Sequence, residues 1–303
     1  MTPHALVLTA APDTGVLTAS LVGRIEACLA AVPVLEERWL SPGEAWDATF
    51  AAEPGVAERI LTAARRRLAG EPVDVNVVAG DIAGRRKLLL VADMDSTIIA
   101  QECIDEMADV LGLKPRIAAI TERAMRGELD FEAALAERLR LLAGITEDQL
   151  AAVYRDRVRL TPGARTLVAT MRSAGAFTAL VSGGFTFFTS RVAAAAGFHE
   201  SHANTLDVRA GRLTGSVVGP ILGREAKRAT LLRLTAERGI EPEQTLAVGD
   251  GANDLDMIRS AGLGVAFRAK PVVATEAAAA ITHGDLTALL YLQGFTRAEF
   301  VVS

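Results

Sequence analysis

Hydrophobic and polar positions follow two different patterns along the 303-residue chain, and the pattern changes near Lys87. Before this point, the segments HALVLTA and EPVDVNVVAG have the composition and alternation of strands. Two other segments, TASLVGRIEACLAA and AERILTAARRRLAG, repeat apolar residues at helical spacing. The pattern predicts the order strand, helix, strand, helix, strand, and therefore a small α+β domain over residues 1–83. The next segment, GDIAGRRK, contains two glycines and three basic residues and is typical of a linker.

After Lys87, short continuous apolar runs predict strands that are buried on both faces of a sheet. These runs are KLLLVADMD, FTALVSGG, TLAVGDGAND and GLGVAF. Helical patterns separate them, including one at about residues 224–238 and the alanine-rich segments VAAAAG and EAAAAI. Because strands that alternate with helices indicate an α/β fold, we expect a Rossmann-like parallel sheet over residues 84–303.

Two segments depart from this alternation of strands and helices. Residues from about 104 to 160 are almost wholly helical, which is too long for a simple crossover and predicts a helical cap inserted after the first core strand. The segment NTLDVRAGRLTGSVVG alternates polar and apolar residues on both sides of Ala-Gly, which predicts a β-hairpin. The region after residue 84 is thus expected to contain a sheet, a cap and one hairpin.

Acidic side chains occur where the predicted core strands end. Asp93 and Asp95 follow the first of these strands, and Asp250 and Asp254 follow a later one. In open α/β sheets the active site lies beyond the carboxyl ends of the strands, so these four carboxylates are expected in one crevice. They would repel one another and raise each other's pKa, and a hard divalent cation such as Mg²⁺ would remove that conflict.

Other groups at the strand ends suit a phosphoryl group. Lys227, at the start of a predicted helix, offers a fixed positive charge, and Ser182 with the backbone amides around Gly183 offers donors to an oxyanion. The chain contains no Walker A motif, so the nucleophile is expected to be a carboxylate. Asp93 would attack phosphorus and form an aspartyl-phosphate. Asp95 would protonate the leaving oxygen and later deprotonate the hydrolytic water.

Each of these motifs also has an ordinary structural interpretation when it is taken alone. DMDST can be a turn or a helix cap, and SGG can be a plain loop. GDGAND can be a turn or a calcium-like loop, although it lacks the later glutamate of an EF-hand. Lys227 can be a surface lysine. Their occurrence in chain order, each at its own strand or helix end, favours a shared catalytic site.

These residues resemble the four motifs of the haloacid dehalogenase superfamily, namely DxDxT, a Ser or Thr after the second strand, a Lys and a GDxxND-type loop. The resemblance is more specific to the phosphoserine phosphatase family, through DSTxxxxE, the ANTLDVRAGRLTG segment, and GDGANDLDMI followed by AFRAKP. It spans about residues 87–295. It implies a haloacid dehalogenase-type fold, a Mg²⁺ cofactor, and hydrolysis of O-phospho-L-serine to serine and phosphate as the last step of serine biosynthesis.

The same resemblance assigns roles to individual residues. Glu102 would meet the ammonium group of the substrate and Arg138 its carboxylate, with Phe131 beside them in the cap. Met125 is a further residue that would line this side. Asn253 would bind phosphate or orient a neighbour, and Lys270 is an additional candidate. The resemblance implies that the Mg²⁺ ligands are the side chains of Asp93 and Asp250, the backbone carbonyl of Asp95, and Asp254 through water.

The N-terminal segment APDTGVLTASLVGRI resembles the DxPGVL start of an amino-acid-sensing ACT domain, with Thr14 where that pattern has proline. The predicted strand–helix order is compatible with this fold. The resemblance implies an ACT-like domain that either binds an amino acid or only stabilises the enzyme, and it implies a possible homodimer. Trp39 and Trp46 are expected in the core or the interface of this domain.

Composition narrows the compartment and the partners. The formal net charge of −5 argues against general attraction to nucleic acid or to an anionic membrane surface. Cys28 and Cys103 form no metal or redox motif, and His199 and His202 have no further ligands around them. No apolar run reaches about 18 residues, and the N-terminus lacks the basic region of a signal peptide. We therefore expect a cytoplasmic protein that binds a small molecule.

Three functional hypotheses remain open from the sequence. The first is the Mg²⁺-dependent phosphatase acting on phosphoserine. The second is a phosphatase for another small phosphomonoester, or a phosphotransferase; Glu102 with Arg138 favours phosphoserine over these substrates, because a sugar phosphate or nucleotide has no ammonium–carboxylate pair. The third is a non-catalytic, amino-acid-responsive binding protein, against which the complete set of catalytic side chains argues.

Overall fold

The computed structural model describes residues 1–53, 55–125 and 128–302, with the side chain of Met125 excluded. The N-terminal part forms a four-stranded antiparallel sheet with the order β2-β3-β1-β4. Its elements are β1 (Thr2–Ala10), α1 (Ala19–Leu29), β2 (Val34–Ser41), β3 (Ala45–Ala52), α2 (Val56–Arg67) and β4 (Val73–Ala79).

The predicted order of this part was incomplete, because two strands rather than one lie between α1 and α2. A tight turn joins β2 to β3, in which the Glu44 amide donates to the Ser41 carbonyl at 3.0 Å and Gly43 has a φ of +80°. The first residues of β2 are exposed, which hides the alternation expected of a half-buried strand. The sequence pattern therefore did not separate the hairpin into its two strands.

The second sheet has seven strands in the order β11-β10-β9-β5-β6-β7-β8, all parallel to their neighbours except β8. This arrangement confirms the predicted Rossmann-like sheet. The strands are β5 (Leu89–Ala92), β6 (Phe177–Phe185), β7 (Glu200–Arg209), β8 (Arg212–Val218), β9 (Thr245–Gly249), β10 (Leu263–Phe267) and β11 (Ala279–Ile281).

Helices connect these strands, and five of the described α-helices lie between β5 and β6. The first four of them occupy the region where the cap is predicted. These four are α3 (Cys103–Val110), α4 (Lys114–Met125), α5 (Phe131–Leu141) and α6 (Glu147–Arg157). The others are α7 (Ala164–Ser173), α8 (Thr186–Ala196), α9 (Arg224–Glu237), α10 (Leu255–Ser260), α11 (Pro271–Glu276) and α12 (Ala288–Leu292). Among the described residues, no helix has both the length and the apolar character needed to cross a membrane.

The predicted hairpin is confirmed and carries the turn that its sequence requires. β7 and β8 pair in antiparallel register, with Arg209 opposite Arg212. Ala210 and Gly211 between them have φ values of +49° and +72°. Two consecutive left-handed residues match the twist of the flanking strands, and glycine at the second position adopts this conformation without strain.

The alanine-rich segment EAAAAI was expected to be helical, and this expectation was wrong. α11 ends at Glu276, and Ala279–Ile281 forms the edge strand β11, parallel to β10. The Asn76 side chain pairs with the backbone of Ala280 on the other side, donating to its carbonyl at 3.0 Å and accepting its amide at 2.9 Å. Long-range pairing therefore overrides the helix propensity of alanine.

Asp74 ties the N-terminal sheet to the loop that follows β11. Its two carboxylate oxygens accept the backbone amides of Thr282, His283 and Gly284 at 2.8 to 3.1 Å. The Asp74 side chain is 5% exposed. Together with Asn76, it joins β4 to the edge of the second sheet.

The predicted linker is a packed segment rather than an open connection. Arg85 is 1% exposed and forms a buried ion pair with Asp47 of β3, which is equally buried. Arg38 of β2 also donates to Asp47, through Nε at 3.0 Å, and to the carbonyl of Gly294 at 3.3 Å. A carboxylate thus holds two guanidinium groups between the first sheet and the end of α12.

We expect Asp47→Ala to destabilise the protein by about 3 to 5 kcal/mol, because it leaves the Arg85 guanidinium buried without its carboxylate. Trp39 and Trp46, the only tryptophans, lie in β2 and β3, so urea unfolding followed by tryptophan fluorescence reports on this sheet directly. Glu237→Ala, which removes an exposed pair with Arg233, is the control and should change the free energy of unfolding by less than about 1 kcal/mol. Equal urea midpoints of unfolding for Asp47→Ala and Glu237→Ala would show that the buried pair of Asp47 and Arg85 adds no stability.

Candidate active site

The candidate site lies beyond the carboxyl ends of β5, β6 and β9, which are neighbours in the sheet. A pocket of about 430 Å³ opens there between the strand ends and helices α3 to α5. All predicted site residues except Asp254 line this pocket, and Asp254 is buried behind it. The predicted residues in the lining are Asp93, Asp95, Glu102, Phe131, Arg138, Ser182, Gly183, Lys227, Asp250 and Asn253.

Lys227 lies between two carboxylates at the bottom of the pocket. Its Nζ is 2.7 Å from Asp93 Oδ1 and 2.5 Å from Asp254 Oδ1, and the lysine side chain is 2% exposed. Burial opposes a charged ammonium group, but the Asp93 and Asp254 carboxylates outweigh burial and raise the pKa of Lys227. The lysine therefore stays protonated at neutral pH and fixes the orientation of both carboxylates.

Asp93 begins the loop that follows β5 and is almost fully buried. Burial and the nearby charge of Asp254 raise the pKa of Asp93 well above its ordinary value, although Lys227 partly opposes that rise. Its backbone amide donates to the Val248 carbonyl of β9 at 2.9 Å. The carboxylate is thus held rigidly at the point where the two central strands end.

Asp93, Asp250 and Asp254 form a group that fits a divalent cation. One carboxylate oxygen from each of the three lies within 4.8 Å of the others. Burial and the charge of Asp254 raise the pKa of Asp250 to about 6. Hard carboxylate oxygens with an excess of negative charge are the donors that Mg²⁺ prefers in proteins. The chemistry of this donor set therefore matches the predicted cofactor.

Close packing of glycine holds Asp254 in place. A Cβ atom added to Gly249, the last residue of β9, would overlap the Asp254 carboxyl group. Asp254 Oδ2 also accepts the backbone amide of Gly251 at 3.0 Å. The glycines of the GDGAND segment thus allow the loop to fold back on its own aspartate.

Asp95 is oriented by donors from two different elements. Its Oδ1 accepts the backbone amide of Cys103, the first residue of α3, at 2.9 Å. Its Oδ2 accepts the Ser182 hydroxyl, at the end of β6, at 3.1 Å. Withdrawal from bulk water raises the pKa of Asp95, and these hydrogen bonds oppose the rise. A carboxyl group with a raised pKa beside a second carboxylate suits proton transfer.

The cap side of the pocket carries the second pair of charged groups. Glu102 precedes α3 and accepts the Ser96 hydroxyl at 2.6 Å. Its side chain is exposed at the mouth, yet partial loss of solvent and the charge of Asp95 raise the pKa of Glu102 to about 7. Arg138, on α5, is half-buried and its Nε donates to the Ala134 carbonyl at 3.2 Å. The pocket thus presents a carboxyl group and a guanidinium group in addition to the aspartate pair.

Phe131, the first residue of α5, touches two glycines of the core. A Cβ added to Gly183 would lie 3.0 Å from the Phe131 ring, and one added to Gly223 would lie 3.3 Å from it. The ring therefore packs directly on backbone at both places, where a Cβ atom would have to displace it. This contact closes one side of the pocket.

The hairpin makes a second connection between the cap and the core. The Gly144 amide donates to the Leu213 carbonyl at 2.9 Å, and the Leu213 amide donates to the Ile145 carbonyl at 2.8 Å. These bonds join β8 to the loop between α5 and α6. The helix that carries Arg138 is therefore positioned by backbone pairing to the hairpin.

Several residues without a role from the sequence contact this site. Thr97 Oγ1 donates to Asp250 at 3.3 Å, and Asn204 binds the Gly183 carbonyl at 2.9 Å. Thr97 belongs to the DMDST motif and Asn204 to the hairpin segment, so both residues lie in sequence motifs that could have identified them as candidates. Lys270 lines the pocket with an exposed side chain. The side chain of Met125 lies outside the described residues.

Two other candidates have little catalytic potential. Cys103 lines the pocket, but burial and the charge of Asp95 raise the pKa of its thiol, which opposes formation of a nucleophilic thiolate. His199 accepts the Thr178 amide at 3.1 Å and stacks on Phe177, while His202 pairs with Glu200 at 2.7 Å. The two histidines therefore serve local packing.

Comparison with known sequences finds phosphoserine phosphatases among the relatives of this chain. The model of the haloacid dehalogenase-like hydrolases matches residues 90–259. A phosphoserine phosphatase of Streptomyces coelicolor is 46% identical over 250 residues, which cover 82% of this chain and 61% of that protein. A phosphoserine phosphatase of a Polaromonas species is 47% identical over 223 residues, which cover 72% of this chain and 94% of that protein. The chain thus spans less than two thirds of the first relative and nearly all of the second.

Solved structures show the same similarity. A haloacid dehalogenase family hydrolase of Salmonella enterica serovar Typhi has a TM-score of 0.82 at 30% identity, covering 95% of this chain and 98% of that one. A probable phosphoserine phosphatase of Vibrio cholerae, in unliganded form, has a TM-score of 0.78 at 32% identity, covering 98% and 88%. A phospho-aspartyl intermediate analogue of a phosphoserine phosphatase has a TM-score of 0.63 at 37% identity, covering 68% and 98%.

The matched region includes the strand ends that carry the carboxylate cluster, from Asp93 to Asp254. The family model covers more than half of the chain, and the core fold agrees with solved members at identities of 30% and above. The chain belongs to the haloacid dehalogenase-like hydrolase family.

Proposed function

We propose that the protein hydrolyses O-phospho-L-serine to L-serine and phosphate in a Mg²⁺-dependent reaction. One observation carries the proposal: a single pocket holds the Asp93–Asp95 pair at its base and Glu102 with Arg138 on its cap side. The first pair suits a phosphoryl group, and the second suits an ammonium and a carboxylate group. The names of the relatives support this substrate, as does the geometry of the pocket.

In the first step, a carboxylate oxygen of Asp93 attacks phosphorus, and the bond from phosphorus to the serine oxygen breaks. Asp95 donates a proton to that leaving oxygen, so that serine departs as the alcohol. The product on the protein is an aspartyl-phosphate at Asp93. The Cys103 amide, which donates to Asp95 Oδ1, would hold the acid in place during this transfer, and the Ser182 hydroxyl orients it beforehand.

In the second step, Asp95 accepts a proton from a water molecule, whose oxygen attacks phosphorus. The bond from phosphorus to Asp93 breaks, and phosphate and the free carboxylate result. Asp95 regains the proton that the first step consumed, so the cycle closes without another acid or base. The Ser182 hydroxyl, which donates to Asp95 in the structure, would turn to a phosphoryl oxygen when the substrate binds, and the amide of Gly183 would donate beside it. Lys227 and Asn253 would support the phosphoryl oxygens from the other side.

The residues that would hold Mg²⁺ are Asp93 and Asp250 through their side chains, Asp95 through its backbone carbonyl, and Asp254 through water. Both oxygens of Asp254 are already engaged, by Lys227 and by the Gly251 amide, which favours an indirect role. When bound, Mg²⁺ supplies positive charge against the phosphoryl oxygens and the carboxylates.

Binding of the amino-acid part rests on the cap. Glu102 would accept the substrate ammonium group, and Arg138 would bind the carboxylate in a fork. Phe131 would shield this end of the pocket from water. Burial of the reacting centre would strengthen each of these charged contacts.

The proposal extends to the organisation of the chain and its place in the cell. Residues 1–83 would form an ACT-like regulatory or structural domain, and residues 84–303 the phosphatase domain with its cap at about 104–160. The reaction would be the last step of serine biosynthesis in the cytoplasm, where the free thiols Cys28 and Cys103 stay reduced. A homodimer is a further part of the proposal.

The deciding experiment measures phosphate release from O-phospho-L-serine, O-phosphothreonine, a sugar phosphate and a nucleotide, with Mg²⁺ and after its removal by chelation. We expect Mg²⁺-dependent release that strongly favours phosphoserine. Asp93→Asn, purified in the same way, should lose activity by about 10⁴-fold or more while its circular dichroism stays unchanged, because it lacks the nucleophile.

Each alternative outcome has a separate meaning. Release of phosphate from the other esters but not from phosphoserine would support a phosphatase and contradict the proposed binding site for the amino-acid part of the substrate. Retained activity in Asp93→Asn would overturn the covalent mechanism. No release from any ester would favour the binding-protein hypothesis.

Arg138→Ala should lower kcat/KM for phosphoserine by about 10- to 100-fold, because a charged hydrogen bond contributes roughly 1.5 to 3 kcal/mol. Hydrolysis of p-nitrophenyl phosphate, which has no carboxylate, should change far less. Arg140→Ala is the matched control, since Arg140 is exposed on the same helix and two residues away. Equal losses with both substrates would mean that Arg138 has a structural role.

Affinity for Mg²⁺ should fall by about tenfold or more between pH 7.5 and pH 5. The sign follows from the raised pKa of Asp250, about 6, because the neutral form that dominates below this pH does not bind a cation. Isothermal calorimetry across this range measures the effect. Glu102→Gln is the control and should keep the dependence, since Glu102 has a pKa of about 7 but lies outside the cluster. Constant affinity in the unmodified protein would contradict the assigned ligands.

A further inference from the structure

Asn204 is a buried residue of β7 whose side chain makes three hydrogen bonds to two separate segments. Its Nδ2 donates to the Gly183 carbonyl at 2.9 Å and to the Leu222 carbonyl at 3.2 Å. Its Oδ1 accepts the Leu222 amide at 2.7 Å. The residue is 3% exposed and does not line the pocket. It therefore acts on the site only through the segments that it binds.

The first of these segments lies where the ladder between β6 and β7 is interrupted. Regular pairing stops after Val181 opposite His202 and resumes at Phe185 opposite Asn204. Residues 182–184 lie in that gap. In this gap, the side-chain amide of Asn204 donates a hydrogen bond to the Gly183 carbonyl. This bond restricts rotation of the peptide group between Gly183 and Gly184.

That peptide group is held at both ends. Its carbonyl, from Gly183, accepts from Asn204, and its amide, from Gly184, donates to the Ser182 hydroxyl at 2.8 Å. The Ser182 hydroxyl then donates to Asp95 Oδ2 at 3.1 Å. A continuous series of hydrogen bonds thus runs from Asn204 to the proposed proton-transfer group.

The second segment leads into the helix that carries Lys227. Asn204 binds both polar backbone groups of Leu222, which immediately precedes Gly223 and the start of α9. Phe131 of the cap packs on Gly183 and on Gly223, the same two segments that Asn204 joins. Asn204 therefore joins the two core segments on which the cap residue Phe131 packs.

We propose that Asn204 is a positioning residue for the reaction. It holds the Gly183–Gly184 peptide in a fixed position relative to the start of α9. Through Ser182, it also positions the Asp95 carboxyl group. This inference rests on the proposed function, since it gives Asn204 a role in proton transfer and in binding of the phosphoryl group.

The principal variant is Asn204→Asp, which keeps the shape and the acceptor but replaces both donors by a carboxylate oxygen. For phosphoserine we expect kcat to fall on the order of 10- to 100-fold, because small misalignments of reacting groups have effects of this size. KM for phosphoserine should rise less than the dissociation constant of inorganic phosphate, since Glu102 and Arg138, which would hold the amino-acid part, are untouched. For p-nitrophenyl phosphate, whose leaving group needs no proton, kcat/KM, which covers only the steps up to departure of the leaving group, should fall much less than kcat/KM for phosphoserine. Asn204→Ser is a second, uncharged variant for which the same order is expected.

Asn76→Asp is the matched control. Asn76 is also buried, and its amide pairs with both backbone groups of Ala280, far from the pocket. The control should lower stability but leave kcat for both esters within about twofold of the unmodified protein. Folding of all variants is checked by urea unfolding under the assay conditions.

Binding of inorganic phosphate in the presence of Mg²⁺ provides a readout that does not depend on turnover. We expect Asn204→Asp to bind phosphate at least about tenfold more weakly, because phosphate alone depends on the loop for its contacts. Unchanged phosphate binding with unchanged kcat would overturn the proposal, and equal losses of kcat/KM with both esters would reduce Asn204 to a structural residue. If the unmodified protein binds phosphate but hydrolyses no ester, the proposed function is contradicted. The comparison of phosphate binding between the unmodified protein and Asn204→Asp would still test the positioning role of Asn204.

Discussion

The contact of the buried Lys227 ammonium with Asp93 and Asp254 is the interaction on which the rest of the site depends. Without it, neighbouring carboxylates at the ends of β5 and β9 would repel one another in a region with little water. One lysine cannot neutralise all of them, and the remaining negative charge makes the site receptive to a cation. A compact ammonium group fits between two carboxylates more easily than a guanidinium group, which explains a lysine here in a chain with only four.

The pocket is formed by parts of the chain that are distant in sequence. Phe131 packs on two core glycines, and the backbone of Leu213 pairs with the loop that follows α5. Glu102 enters from the segment before α3, close to the aspartates. The charges that suit the amino-acid part of a substrate and those that suit its phosphoryl part are therefore held on different elements. Their relative position is set by the hairpin and by glycine packing rather than by a direct ion pair.

The fold class and the location of the acidic cluster could be predicted because both follow from local patterns. Continuous apolar runs give buried strands, and the carboxyl ends of parallel strands meet at one edge, which brings Asp93, Ser182 and Asp250 together. Features that depend on distant partners could not be predicted. The strand at Ala279–Ile281 exists because β10 and Asn76 pair with it, and burial of Arg85 requires Asp47. The family resemblance supplied roles for Glu102 and Arg138, which composition alone leaves as ordinary helix charges.

Asp74 and Asn76 have a consequence for how this chain can be shortened or recombined. They supply hydrogen-bond partners for the backbone of Ala280 and of the loop at residues 282–284, all of which belong to the edge of the catalytic sheet. Removal of the N-terminal sheet would leave these amides and an edge strand open to water or to other chains. A version that begins near residue 84 would therefore need new hydrogen-bond partners at that edge of the sheet.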